Sequence, residues 1–324
     1  MRWTRIASIL GLGLALGSPF ALGGRDALLG LRGVAPPLFL LLIALAAISG
    51  VAKAGKLQML LVGLGQRPNF PRTLAISLAT DFAFLSSPAG AAGYAVNIAL
   101  LRGADTSWVV ATAAVGAEQA LDLLFFALAL PIAACSGFSL LARVVPRLPG
   151  SSYSELLSVV LAIAAGLWLW RRRLTVAARS LIAALPWLQR RRARYAEFLS
   201  ALLAQLGELL KGDTRRHLGL LLLTTLQWLA RYGVIWMVLR ALGHRLPFGF
   251  VLVLQAGIIH LTQWTGIPAG GGSADLALAS ALGPWVPRPT MATVLLLWRF
   301  ATLYCPLLAG ALSLAMLPGK RPAY

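Results

Sequence analysis

Glu118 and Asp122 carry the most chemistry for their surroundings. They lie four apart in the apolar run 107–134, so a helix puts both carboxylates on one face, a turn apart. A charged residue at the centre of a membrane helix costs ~2.5–3.5 kcal/mol on insertion scales, so such residues are functional candidates. Two bare carboxylates repel, so either one holds a proton or a cation sits against both. Arg299, at the matching place in the second half of the chain, is the expected partner, and Arg231 is the next. Two readings stay open: a salt bridge stapling two helices, or direct contact with a substrate or coupling ion. Asp81, His260 and Asp275 complete the ionisable set inside apolar runs. His260 reads as a satisfied buried histidine, and Asp81 as a local cap or pair.

A second group of residues breaks helices. Ser86-Ser87-Pro88-Ala89-Gly90 interrupts one apolar stretch, and Thr265-Gly266-Ile267-Pro268-Ala269-Gly270-Gly271-Gly272 interrupts another. Pro88 removes a donor and disfavours helix at Ser87. A helix restarting at Gly90 or Gly272 would present free N–H groups and a positive dipole end, a seat for phosphate. The alternative is close helix packing through small residues. Asn97 and Asp275 lie just beyond the two tips.

These residues need a membrane protein to hold them. Of 324 residues, 59% are hydrophobic and 12% are charged, against about 25% charged in a soluble domain. Runs of roughly the ~20 residues needed to span occur at 6–22, 34–52, 107–134, 152–170, 218–242 and 290–316. The first run, behind Arg2 and Arg5, reads as an uncleaved helix rather than a signal peptide. The stretches 73–101 and 248–282 are the ones broken by Pro and Gly.

Charge decides how the broken stretches run. Lys53, Lys56, Arg67 and Arg72 read as one basic loop, and 171–217 as another, rich in arginine. The positive-inside rule puts both loops and both termini in the cytoplasm. They agree only if each broken stretch dips into the bilayer and returns. The expected fold is therefore all-α: a single integral membrane domain over 1–324, with about six full spans and two re-entrant hairpins. The repeat units are 73–134 and 248–316, in opposite orientation. Paired broken segments of this kind point to a substrate site near the midplane.

The net charge of +19 sits mostly between apolar runs, which suits an anionic membrane surface better than nucleic acid. Segment 171–217 reads as an amphipathic helix at the cytoplasmic interface, and 53–72 in the same way. Cys135 and Cys305 have no CxxC partner, and His217, His244 and His260 form no zinc pattern. Gly11-x-Gly13-x-x-x-Gly17 has no strand before it, so no dinucleotide site is expected. No other cofactor or metal is expected.

Segment 80–126, with Ser87-Pro88-Ala89-Gly90-Ala91-Ala92-Gly93 and Glu118-Gln119-Ala120-Leu121-Asp122, resembles the first motif block of the lysylphosphatidylglycerol synthase/flippase transmembrane family. Segment 265–310 resembles its second block, with Pro268 to Gly272, Asp275, Trp298-Arg299-Phe300 and Pro306 to Gly310. The resemblance implies an integral membrane protein of the kind that moves an aminoacylated lipid made by a separate cytoplasmic domain. Tyr94 stands where that family commonly has an acid, Asp275 where it has Glu, and Gln119 where an arginine is usual. These departures bear on the substrate more than on the fold. The aminoacyl-transferase domain is not expected here, so neither is an enzyme activity.

The leading expectation is a flippase-like transporter of a lipid with a polar, phosphate-containing headgroup across the cell's inner membrane. The alternatives are an accessory subunit of a lipid-modifying system, with a soluble or membrane enzyme as partner, and a lipid-headgroup transferase or hydrolase.

Overall fold

A computed structural model describes residues 30–144, 192–263 and 265–317, together with 13, 17, 18 and 20. Every regular element among these residues is a helix. The expected spans at 6–22 and 152–170, and the basic segment as far as 191, fall wholly or mostly outside the described residues.

The chain order is α1 (Pro36–Gly63), α2 (Phe70–Ser86), a tight turn at Pro88–Gly90, α3 (Ala91–Gly103) and α4 (Trp108–Val144). Then come α5 (Arg192–Leu210), α6 (Thr214–Ala241), α7 (Phe248–Gln263), a second turn at Pro268–Gly270, and α8 (Ser273–Leu282). Last are α9 (Arg288–Arg299) and α10 (Cys305–Met316), joined without a break by a π-helical segment, Phe300–Tyr304. Proline opens α1, α2 and α9 within their first two positions, where its missing N–H costs nothing and its φ already suits a helix.

Among the described residues, four helices are long and apolar enough to cross a membrane: Pro36–Gly63, Trp108–Gly137, Thr214–Ala241 and Arg288–Met316. Their outward faces carry Leu40, Ile132, Leu222 and Leu308, each at least 65% exposed. An apolar shell of this kind needs hydrocarbon around it.

One boundary overturns the sequence reading. The span expected at 34–52 runs on to Gly63, so Lys53 and Lys56 are inside α1 and not in a basic loop. Only Arg67 lies in the connection between helices, and Arg72 is in the first turn of α2. The expected interfacial helix at 53–72 is the end of a spanning helix, a short connection and the start of α2.

The packing is reciprocal. α1 lies along α6, α2 along α10, and α4 along α7, and the two Pro-Ala-Gly turns touch each other. Each broken stretch thus sends its first helix against the long helix that follows the other. Small residues allow the close approach. A Cβ on Gly310 would fall 2.3 Å from the Leu78 carbonyl oxygen, and one on Gly249 would fall 2.3 Å from that of Ala133. Two apolar clusters flank the middle. Leu42, Val238, Phe250, Leu278 and Trp298 belong to one, and Leu57, Leu61, Ala111 and Ala114 to the other.

Candidate functional site

The turns have matching geometry. Ala89 has φ 51°, ψ 17° and Ala269 has φ 52°, ψ 20°. Each is followed by a glycine in the same left-handed region, Gly90 at φ 70° and Gly270 at φ 61°. Both alanines hold a conformation that costs an L-residue about 1–2 kcal/mol. Phe84 packs into the space left by Gly90 and Gly93, where a Cβ would come within 2.6 Å of its ring.

The turns do not leave their amides open as expected. Gly90 N donates to Ser87 O at 3.1 Å, and Ala92 N to Ser87 Oγ at 3.1 Å. Gly270 N donates to Ile267 O and Gly271 N to Pro268 O, each at 3.0 Å. At the first turn the chain itself takes up part of the expected phosphate seat; at the second, these bonds precede the helix that starts at Ser273.

The turns close one side of a cavity of about 350 Å³. Gly90, Gly270, Asn97, Glu118, Asp122, Arg231 and Arg299 line it, as the sequence suggests. Ser87, Pro88, Pro268, Gly271 and Gly272 build the turns without facing the cavity, and Asp275 sits fully buried behind Arg299.

The expected pairing of Arg299 with the acidic pair is not what forms. Arg299 turns to Asp275: Nε donates to Oδ1 and Nη2 to Oδ2, both at 2.8 Å. Its Nη1 donates to the Ala269 carbonyl at 3.0 Å, fixing the second turn. Ser18 Oγ donates to Asp275 Oδ2 at 2.5 Å. α8 and α9 are neighbours in sequence and packing, so the bidentate fork closes locally and satisfies both charges.

The cation on the acidic pair is Lys56, which the sequence reading put in a loop. Its Nζ lies 2.6 Å from Asp122 Oδ1 and 3.7 Å from Glu118 Oε1, with Lys56 and Glu118 almost wholly buried. Trp228 Nε1 donates to the same Asp122 oxygen at 2.8 Å. One turn earlier on α1, Lys53 pairs with Asp81 of α2, a contact between helices rather than the local cap or pair expected for that residue. A signal was available: Lys53 and Lys56, three apart, sit in an apolar stretch that resumes at Leu57 and holds to Val62. Both ammoniums therefore face one side of a continuing helix.

Among the described residues, three buried acceptors bordering the cavity have no hydrogen-bond partner: Asn97 Oδ1, Glu118 Oε1 and Gln227 Oε1. Buried acceptors normally find donors, so these await one from water or a bound group. Arg231 is the opposite case. It is half-buried, lines the cavity, and makes no ion pair or hydrogen bond among the described residues. His260 is satisfied as expected, through Nδ1 and the Ala256 carbonyl at 2.7 Å, but it is exposed rather than buried. The Gln255 amide lies between Tyr232 O and Trp298 Nε1, and turned with its nitrogen to the former and its oxygen to the latter it satisfies both, at 3.1 and 3.0 Å.

Long apolar helices around a polar, charge-paired chamber define a polytopic α-helical integral membrane protein. The chain belongs to the family described as lysylphosphatidylglycerol synthase TM region, which it matches over residues 8–310. It is also similar to a protein of Archaeoglobus fulgidus called UPF0104 membrane protein, 27% identical over 258 residues, or 77% of each chain.

Proposed function

We propose that the protein is a flippase-like transporter that carries a lipid with a polar, phosphate-containing headgroup across the cell's inner membrane. The observation that carries this reading is the chamber itself. It offers about 350 Å³ among membrane helices, where, among the described residues, Arg231 makes no ion pair and acceptors of Asn97, Glu118 and Gln227 have no donor. A phosphate would meet Arg231, and donor groups on the head would meet the acceptors. The tails would stay in hydrocarbon.

The matching turns and the reciprocal packing of α2 with α10 and α4 with α7 support an inverted repeat. In this reading the Pro-Ala-Gly turns are the tips of two re-entrant hairpins, and the termini are cytoplasmic. Rocking one half against the other would expose the chamber to each side in turn. Aminoacyl or other headgroup chemistry would belong to a partner enzyme. The basic segment 171–217 would rest on the anionic leaflet.

The test is headgroup translocation in proteoliposomes of anionic phospholipid, with native mass spectrometry to identify lipid that stays bound. The reading expects transport by the wild type and its loss in Arg231→Gln. Bound lipid without movement in either direction would instead make the chain an accessory subunit.

A further inference from the structure

A second cavity, of about 290 Å³, lies against the first. It runs between α1, α2, α6 and the π segment with α10, and its walls are mostly small and apolar, among them Ala47, Gly50, Leu78 and Ala309. Its ionisable lining is Asp81, Arg231 and the thiol of Cys305. Asp81 and Arg231 also line the polar chamber, so the two spaces adjoin at that pair. Asp81 is already paired with Lys53, and Arg231 makes no ion pair among the described residues. Its walls also include Ile43 and Val51, which are 46% and 48% exposed on α1.

We propose that this cavity is a slot for one hydrocarbon chain of a lipid whose anionic head lies against Arg231. The lipid identity rests on the transport reading, and the slot itself rests on the geometry. A chain entering past Ile43 and Val51 keeps apolar contact along small side chains that leave room for methylenes. It arrives where a half-buried guanidinium makes no ion pair among the described residues. A cavity of this volume is at the lower end of ligand-pocket sizes, about 300–1,000 Å³, and too small for a packed helix. The second tail of a diacyl lipid would remain in the bilayer.

The test uses the full chain in nanodiscs with two photoreactive lipids carrying the same diazirine-bearing chain. One is an anionic phosphatidic acid, the other a neutral diacylglycerol. After irradiation, adducts are mapped by mass spectrometry. The expected result is adducts on 43–51 and 301–309, about tenfold more from the anionic lipid, equal to ~1.4 kcal/mol of preference. Arg231→Gln is expected to remove that preference and Arg231→Lys to keep it. Ala47→Phe and Ala309→Phe, filling the slot from opposite walls, are expected to remove the adducts. Gel filtration and melting temperature show whether each variant is folded. Equal labelling by both lipids, no labelling, or adducts only on outward residues such as Leu40 and Leu308 would overturn the slot. Labelled slots in a protein that moves no lipid would leave it standing and remove the transport reading. Transport with the labels elsewhere would do the reverse.

Discussion

Lys56 Nζ sits 2.6 Å from Asp122 Oδ1, so an ammonium of α1 holds a carboxylate of α4 in a site that water scarcely reaches. Glu118 shares the same cation at 3.7 Å. Breaking a buried pair by removing one partner costs about 3–5 kcal/mol, because the other charge stays buried. Lys56→Met is therefore expected to lower the melting temperature of the detergent-solubilised protein sharply. Asp122→Asn added to it is expected to return part of the loss. A Lys56→Met protein that melts like the wild type would show that the pair contributes nothing to the packing of α1 on α4.

Glu118 behaves differently in this arrangement. Its Oε1 makes no hydrogen bond, whereas Asp122 accepts from both Lys56 and Trp228. A buried neutral amide costs less than a buried charge. Glu118→Gln is expected to melt at or above the wild-type temperature, and Asp122→Asn below it. In proteoliposomes Glu118→Gln is expected to lose transport despite its stability. Unimpaired transport would take Glu118 out of the mechanism.

The sequence showed the two breaks and most of the charged residues that line the chamber, because Pro, Gly and charges in apolar runs have few structural uses. It did not show the pairing. Lys53 and Lys56 ended the apolar count at residue 52, yet a lysine neutralised by Asp81 or Asp122 no longer behaves as a free charge and the helix continues to Gly63. Analogy between the halves points Arg299 at the Glu118 and Asp122 pair, but Asp275 lies closer, at the start of the preceding helix. Arg231 was visible as a charge. That it alone lacks a counter-ion among the arginines facing the chamber depends on where the other helices place their acids.

Close packing gives a contrast between glycines. A Cβ at Gly310 would lie 2.3 Å from the Leu78 carbonyl oxygen and 2.6 Å from the Phe82 side chain, so α10 and α2 would have to separate. Gly116, inside α4, has nothing within 4 Å of its added Cβ. Gly116→Ala is expected to be neutral or to gain about 0.5–1 kcal/mol from helix propensity. Gly310→Ala is expected to lower the melting temperature and Gly310→Leu to prevent a monodisperse protein. Equal melting of Gly116→Ala and Gly310→Ala would contradict the backbone contact between α2 and α10.

The paired turns yield the most specific prediction. Ala89 and Ala269 carry nearly the same left-handed backbone, at φ 51° and 52°. Glycine would relieve about 1–2 kcal/mol of strain at either position. It would also loosen the unfolded chain by about 0.4–1 kcal/mol. Ala89→Gly and Ala269→Gly are thus each expected to be slightly stabilising, and by similar amounts, in thermal unfolding. Valine at either site is expected to be clearly destabilising, since a β-branched residue is a poor fit at positive φ. The turns differ in one support: Arg299 Nη1 holds the Ala269 carbonyl, and no side chain donates to that of Ala89 among the described residues. Arg299→Lys should therefore raise the thiol reactivity of Ala269→Cys while leaving that of Ala89→Cys unchanged, both measured in a background without Cys135 and Cys305. Equal responses at both turns would mean that Arg299 acts on the fold as a whole rather than on the second turn.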